Sequence, residues 1–301
     1  MTIIEAALQK TKALRGSRPE PQGGTAGTRM DAPTHVRHDP AATATPTVPP
    51  STQIRPHRVA FDPEHARENR VLLSSAIAQD RGIIAAYGML RTRILHRARA
   101  NGLYTVGMTS AAPQDGKSLT SVNLALSLAR EKNSMVVLLD LDMRNPSVCR
   151  TLGITPLNEL RDFFERRVET PEDLFVSIGI DNLLIAGNVT PTDSSAELLA
   201  SSRLEELLAY IRESTTNPII LIDLPPVLSP EDTLVVAPRI DSLVLVACEG
   251  KTPRADLQKA GELLADFPVL GMVLNRSSER VQGYGYGYGY GYGQGRGDGP
   301  S

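Results

Sequence analysis

Six short, mostly apolar runs recur along residues 103–275, and helix-patterned segments separate them. The runs are Leu103–Thr109, Met135–Asp140, Leu183–Ala186, Ile219–Asp223, Leu243–Ala247 and Val269–Asn275. Each is read as a strand, and several are unbroken aliphatic runs, as a sheet buried on both sides requires. Between them, residues 117–131, 157–167, 195–213 and 254–266 repeat apolar side chains at helical spacing, as do residues 71–98 ahead of the first run. Strands alternating with helices require parallel crossovers, so the pattern predicts an α/β fold, a mostly parallel sheet with helices on both faces.

The loop after the first run carries the strongest chemical signal. Ala111-Ala112-Pro113-Gln114-Asp115-Gly116-Lys117-Ser118 ends in Gly-Lys-Ser, follows a predicted strand and opens a predicted helix with Leu119 and Val122. That context is the one a phosphate-binding P-loop requires: helix-start N–H groups face the phosphates, a lysine reaches the β- and γ-phosphates, and a hydroxyl binds Mg²⁺. The chain is thus read as a P-loop NTPase. Residues Ala112, Pro113, Gln114, Asp115, Gly116, Lys117, Ser118 and Leu119 form the candidate nucleotide set, with Ala111 where the pattern's first glycine stands.

Two more strands end in acids: Asp140 and Asp142 close Val136–Arg144, and Asp223 closes Ile219–Leu224. Ligands of open α/β sheets bind at the carboxyl ends of strands, and Mg²⁺ takes oxygen donors, so Ser118, Asp140, Asp142 and Asp223 are the candidate metal set. Arg144 either balances phosphate charge or pairs with an acid.

Outside this unit the composition changes. Residues 2–14 pattern as a short amphipathic helix (domain 1–15), which is marginal alone and either frays or docks on a partner. Residues 16–60 are rich in Pro, Thr, Ala and Gly and are read as a disordered linker. Residues 1–60 hold eight Lys/Arg against four Asp/Glu, read as a solvated basic arm, and the net charge of −2 gives no signal for nucleic acid. The P-loop domain is placed at 61–280. Beyond it, 281–301 is a Gly-Tyr tail with five of the eight tyrosines: Tyr284, Tyr286, Tyr288, Tyr290 and Tyr292. Alternating glycines raise the entropy cost of ordering, so the tail is expected to be flexible and exposed. By itself such a repeat also reads as a low-complexity, weakly self-associating segment.

Cys149 and Cys248 are far apart and lie in no Cys/His cluster, which argues against structural zinc and disulfides. No apolar run reaches the roughly 18 residues that span a bilayer, and the start lacks a secretory pattern. A cytoplasmic protein is expected.

The P-loop, Asp140-x-Asp142-x-Arg144 and Ile222-Asp223-Leu224-Pro225-Pro226, followed by a tyrosine-rich end, resembles the bacterial tyrosine kinases. Ile3-Ile4-Glu5-Ala6-Ala7-Leu8 looks like the start of their exosortase-associated branch, which acts in exopolysaccharide production. The resemblance implies ATP and Mg²⁺ held by Lys117 and Ser118, with Lys117, Asp140 and Asp142 catalytic. Asp140 and Asp142 would serve the metal and activate a tyrosine hydroxyl, and Asp223 would hold metal-bound water. Asn275 would contact adenine, although a strand-end Asn is also a common turn residue. The tail tyrosines would be autophosphorylated in trans. A membrane-embedded polysaccharide co-polymerase would be the activating partner, recruiting the protein to the inner face of the plasma membrane.

The chain also departs from the family. Where many members carry Glu-x-x-Arg-x-x-Arg for ring assembly, residues 85–91 keep only Arg91, so ring formation is not carried over. The same spacing at Glu64, Arg67 and Arg70 lies too far upstream and is read as a solvated helix face. Two rival readings remain. A partitioning-type ATPase would carry a second lysine at the place of Ala112, and a nucleotide-bound scaffold would bind without turnover.

Overall fold

The computed structural model describes residues 54–73, 81–229 and 231–278. The expected N-terminal helix, most of the linker and the five tail tyrosines lie outside the described residues. The elements in chain order are β1 (His57–Arg58), α1 (Pro63–Glu68), α2 (Arg81–Asn101), β2 (Thr105–Ser110), α3 (Lys117–Leu128), β3 (Val136–Asp140), α4 (Val148–Leu152) and α5 (Leu160–Phe164). After a 3-10 turn at Pro171–Leu174 come β4 (Val176–Ser177), β5 (Leu183–Ala186), α6 (Ser195–Ala200), α7 (Arg203–Ser214), β6 (Ile219–Asp223), α8 (Asp232–Val236), β7 (Ser242–Cys248), α9 (Arg254–Leu263) and β8 (Val269–Asn275).

The strands form one sheet in the order β1-β4-β5-β3-β6-β2-β7-β8. All neighbouring pairs are parallel except β4 with β5. Each of the six apolar runs supplies a strand; five are buried throughout, but β8 lies at the sheet edge with Val269, Met272 and Leu274 exposed, because β7 covers it on one side only. Alternation within them divides the core: Val137, Leu139, Ile220 and Ile222 face one helix layer, while Val136, Leu138, Ile219 and Leu221 face the other. Period-two alternation delivers this division, because successive side chains leave a strand on opposite sides.

Packing at the centre is tight. A Cβ on Gly107 of β2 would lie 2.7–2.8 Å from side-chain carbons of Ile240, Leu224 and Leu243. Glycine is needed there for space.

Three expectations change. The sheet begins inside the stretch read as linker, since Ile54 is buried and His57 and Arg58 pair with Val176 and Ser177. A two-residue edge strand has no periodic signature to read. Residues 71–73 do not join a helix from 71 to 98, because the Leu72 N–H is taken by Asn123 Oδ1 at 2.7 Å. The single helix expected over 195–213 is two, broken at Ser201, whose backbone is extended. Arg239 holds that break by donating to the carbonyls of Leu199, Ala200 and Ser201. These are the carbonyls a helix end leaves unpaired. Glu64 and Arg67 lie on α1 and Arg70 follows it, all exposed, in keeping with a solvated face.

Candidate active site

β2 sits between β6 and β7, so the chain crosses from one side of the sheet to the other around its carboxyl end. Such a switch point opens a crevice above the strand tips. Residues 111–116 fill it, running from Ser110 at the end of β2 to Lys117 at the start of α3.

The loop is held largely by its own atoms. Asp115 Oδ2 accepts the Ala112 N–H at 3.1 Å, and Ser110 Oγ donates to the Ala112 carbonyl at 2.8 Å. Gln114 (φ 64°) and Gly116 (φ 92°) adopt left-handed backbone. Gly116 is doubly required, because an added Cβ would also collide with the Asn275 amide. Ala111 is fully buried and is not among the positive-φ residues, so alanine serves where the usual pattern has glycine. No side chain caps α3, which leaves its first N–H groups for an anion.

The acids arrive from the neighbouring strands. Register pairs Asp223 with both Asp140 and Met108, which places two strand-tip carboxylates beside the loop. Lys117 Nζ donates to Asp142 Oδ2 at 2.7 Å and to Ser118 Oγ at 3.1 Å, and lies 3.4 Å from Asp223 Oδ2. Ser118 Oγ donates to Asp223 Oδ2 at 2.5 Å and Ser121 Oγ to Asp223 Oδ1 at 3.0 Å. Asp140 behaves differently: its Oδ1 accepts the Asp142 N–H at 3.2 Å, and its Oδ2 accepts those of Ser147 and Val148, both at 2.9 Å. Asp140 therefore shapes the loop that presents Asp142.

Electrostatics follow from the burial. Burial works against the Lys117 ammonium, but Asp223 and Asp142 outweigh it and raise its pKa. Burial and then Asp223 push Asp140 up to about 8, against the Val148 and Ser147 N–H groups and Lys117. Burial likewise raises Asp223, opposed by Lys117 and Ser118. Two buried carboxylates, Asp142 and Asp223, thus share one buried ammonium.

That excess of negative charge is what a divalent cation balances. Among the described residues no three His, Cys, Asp or Glu side chains form a metal cage. The set fits Mg²⁺ all the same, since that ion keeps several waters and takes only one or two carboxylates beside substrate phosphates. Ser118 and Asp223, with adjacent oxygens, would hold it.

Two other expected residues pair within the chain. Asn275 Nδ2 donates to the Asp115 carbonyl at 2.9 Å, which ties the end of β8 to the loop. Arg144 pairs with the buried Asp232 of α8 at 3.4 Å, the acid-pairing alternative.

Lys251 went unnoticed in the sequence. From the loop after β7 its Nζ donates to the Pro113 and Gln114 carbonyls at 3.3 and 3.2 Å and to Gln114 Oε1 at 3.3 Å. An isolated loop lysine more than 130 residues from its partners leaves no local signal. Ser121 is similar, although its place one helical turn past Lys117 could have pointed to it.

A phosphate loop on the central strand, with neighbouring strand-tip carboxylates around its lysine, defines a P-loop NTPase. In keeping with this, the ParA family, described as NUBPL iron-transfer P-loop NTPase, matches residues 105–285. The chain is 31% identical to the tyrosine-protein kinase YwqD of Bacillus subtilis over 197 residues, 63% of this chain and 79% of that protein. It is 30% identical to the tyrosine-protein kinase CpsD of Streptococcus pneumoniae over 206 residues, 66% of this chain and 86% of that one. Among solved structures, the VpsO kinase domain superposes with a TM-score of 0.58 at 29% identity, covering 66% of this chain and 97% of that domain. The chain belongs to the bacterial tyrosine-protein kinases, a branch of the ParA-like P-loop NTPases. Cys149 and Cys248 are both buried and form no disulfide.

Proposed function

We propose that the protein is an ATP-dependent tyrosine autokinase whose substrates are Tyr284, Tyr286, Tyr288, Tyr290 and Tyr292 of a neighbouring copy. The observation that carries this reading is the contact set of Lys117, Ser118, Asp142 and Asp223 at one strand-tip crevice. Phosphoryl transfer asks the protein for position and charge more than for covalent chemistry. The helix-start N–H groups and Lys117 would bind the triphosphate. Mg²⁺, when bound, would neutralise charge developing on the transferred group.

A phenol has a pKa of about 10 and needs a proton acceptor. Asp142 is placed for that role once Lys117 turns to phosphate, and Asp140 holds the Asp142 loop. The tyrosine oxygen bonds to the γ-phosphorus, the bond to the bridging oxygen breaks, ADP leaves, and the phenolic proton passes to Asp142. Asn275 contributes by fixing the loop and, in this reading, by lying near the base.

A relative from Klebsiella pneumoniae named putative tyrosine-protein kinase in cps region supports a role in polysaccharide production, and the reading adds a membrane-embedded co-polymerase as activator. No described helix is long and apolar enough to cross a membrane, so the reading assigns membrane recruitment to that partner.

Intact-mass measurement after incubation with Mg-ATP tests the reading. Successive gains of one phosphate are expected. They should vanish in Lys117→Met and in a variant with all five tail tyrosines changed to Phe. ATP hydrolysis without any mass gain would replace the kinase reading with a partitioning-type ATPase.

A further inference from the structure

Helix α2 is charged on one side in a way the site does not explain. Its 21 residues include Arg81, Arg91, Arg93, Arg97, Arg99 and His96 and no acid. Arg91 turns inward to Glu131 and the Ser127 carbonyl. Arg81, Arg93, Arg97 and Arg99 are exposed and make no ion pair or side-chain hydrogen bond among the described residues. The buried side is made by Ile94, Leu95 and Ala98.

Positions 81, 85, 89, 93 and 97 are four apart and form one ridge. Ala85 on that ridge and Gly88 beside it leave the surface low, and a shallow depression there is bordered by Met89, Thr92 and Arg93. Like charges four apart, such as Arg93 and Arg97, destabilise a helix unless an anion lies across them.

We infer that the outward face of α2 is a docking surface for the phosphorylated Gly-Tyr tail of this same chain, with Arg93 and Arg97 as its central contacts. The inference rests on the autokinase reading, which supplies the phosphates. Charge complementarity points to this occupant. Unmodified, residues 279–301 carry Glu279, Arg280, Arg296 and Asp298, which cancel. Each phosphate adds roughly −1.5 to −2 charges.

Reach and spacing agree. The tail leaves from Ser278 just past β8, and α2 lies beside that strand: Arg97 Nη1 is 3.6 Å from where a Cβ on Gly271 would stand. An extended chain places every second residue about 6.6 Å apart. Ridge positions four apart on a helix recur about every 6 Å. The tyrosine repeat can therefore set successive phosphates against Arg93 and Arg97, with a ring over the low part of the ridge. The face would then bind the tail only after catalysis, withdrawing it from the active site.

The test uses the full chain with its five tail tyrosines changed to Phe, so that its own tail is silent. A labelled synthetic peptide of residues 279–301, with phosphotyrosine at all five positions or at none, is titrated by fluorescence anisotropy. The phosphopeptide should bind and the unmodified peptide should not. A double R93E/R97E variant, with its fold checked by circular dichroism, should weaken binding by at least about tenfold, since two charge-assisted contacts are lost. R93K/R97K should restore part of it, and R58E on the opposite sheet edge should change nothing.

Equal binding by the wild-type face and R93E/R97E, or equal binding of the two peptides, overturns the inference. So does Arg93- and Arg97-dependent binding to phosphatidylserine vesicles with no binding of the phosphopeptide, which would make the face a lipid surface. Because these phosphates are installed chemically, failure here is separate from failure of the autokinase reading, which the mass measurement reports.

Discussion

Lys251 reaches across the fold to steady the phosphate loop from outside. Its contacts cover the turn at Gln114, a left-handed non-glycine residue. Strain of this kind persists only where the surroundings hold it. In Lys251→Met the KM for ATP should rise about three- to tenfold with kcat little changed, because a hydrogen bond contributes about 0.5–1.5 kcal/mol net. Steady-state kinetics of ATP turnover check this split. Asp142→Asn should do the opposite, lowering kcat about 10²- to 10⁴-fold, the usual worth of a general base, while nucleotide still binds. The buried acids also give the nucleotide-free protein a pH dependence. Asp140 and Asp223 hold protons more tightly folded than unfolded, so their stabilising contribution is complete below about pH 4 and is lost as pH rises towards about 8. Scanning calorimetry should show Tm falling from pH 5 to 8, and Asp223→Asn should flatten that fall. An unchanged slope in the variant would show that these carboxylates are not coupled as described.

At the scale of elements, the site depends on β2 being thin at its centre. Gly107→Ala sets a methyl against Ile240, Leu224 and Leu243, and overpacking of this kind costs about 1–3 kcal/mol. Because β2 carries the loop, the variant should show both a lower Tm and weaker nucleotide binding. Urea denaturation should show the midpoint falling with the slope unchanged. Five of the six strands, β2, β3, β5, β6 and β7, were legible because a strand buried on both faces must be apolar throughout, whereas β8 is apolar at the sheet edge with Val269, Met272 and Leu274 exposed. The P-loop was legible because its residues are consecutive. The break at Ser201 was not, since Arg239, almost 40 residues away, supplies the donors that make it affordable.

For the whole molecule, binding Mg-ATP should stabilise the fold by about 2.7 kcal/mol at a hundredfold excess over Kd. Thermal shift with and without Mg-ATP should show that gain in the wild type and its loss in Lys117→Met. Among the described residues strand pairing ends at Asn275, so a chain ending at Ser278 should unfold within about 0.5 kcal/mol of the unphosphorylated full protein while gaining no phosphate on Mg-ATP. Before phosphorylation, the tail and the sheet are thus expected to be thermodynamically separate and catalytically joined.

Local order in the sequence determined the class of fold, the loop and the identity of the acids, because strand burial and phosphate cradling both act on neighbours in the chain. Only the tertiary structure decided how those acids divide their work: Asp142 and Asp223 against Lys117, Asp140 against its own backbone, Asn275 and Lys251 onto the loop. Apart from those of Asp140, which span two to eight positions, these contacts join residues 25 to 160 positions apart. Side-chain direction across such gaps is set by strand register and by packing around the crevice, which no local pattern encodes.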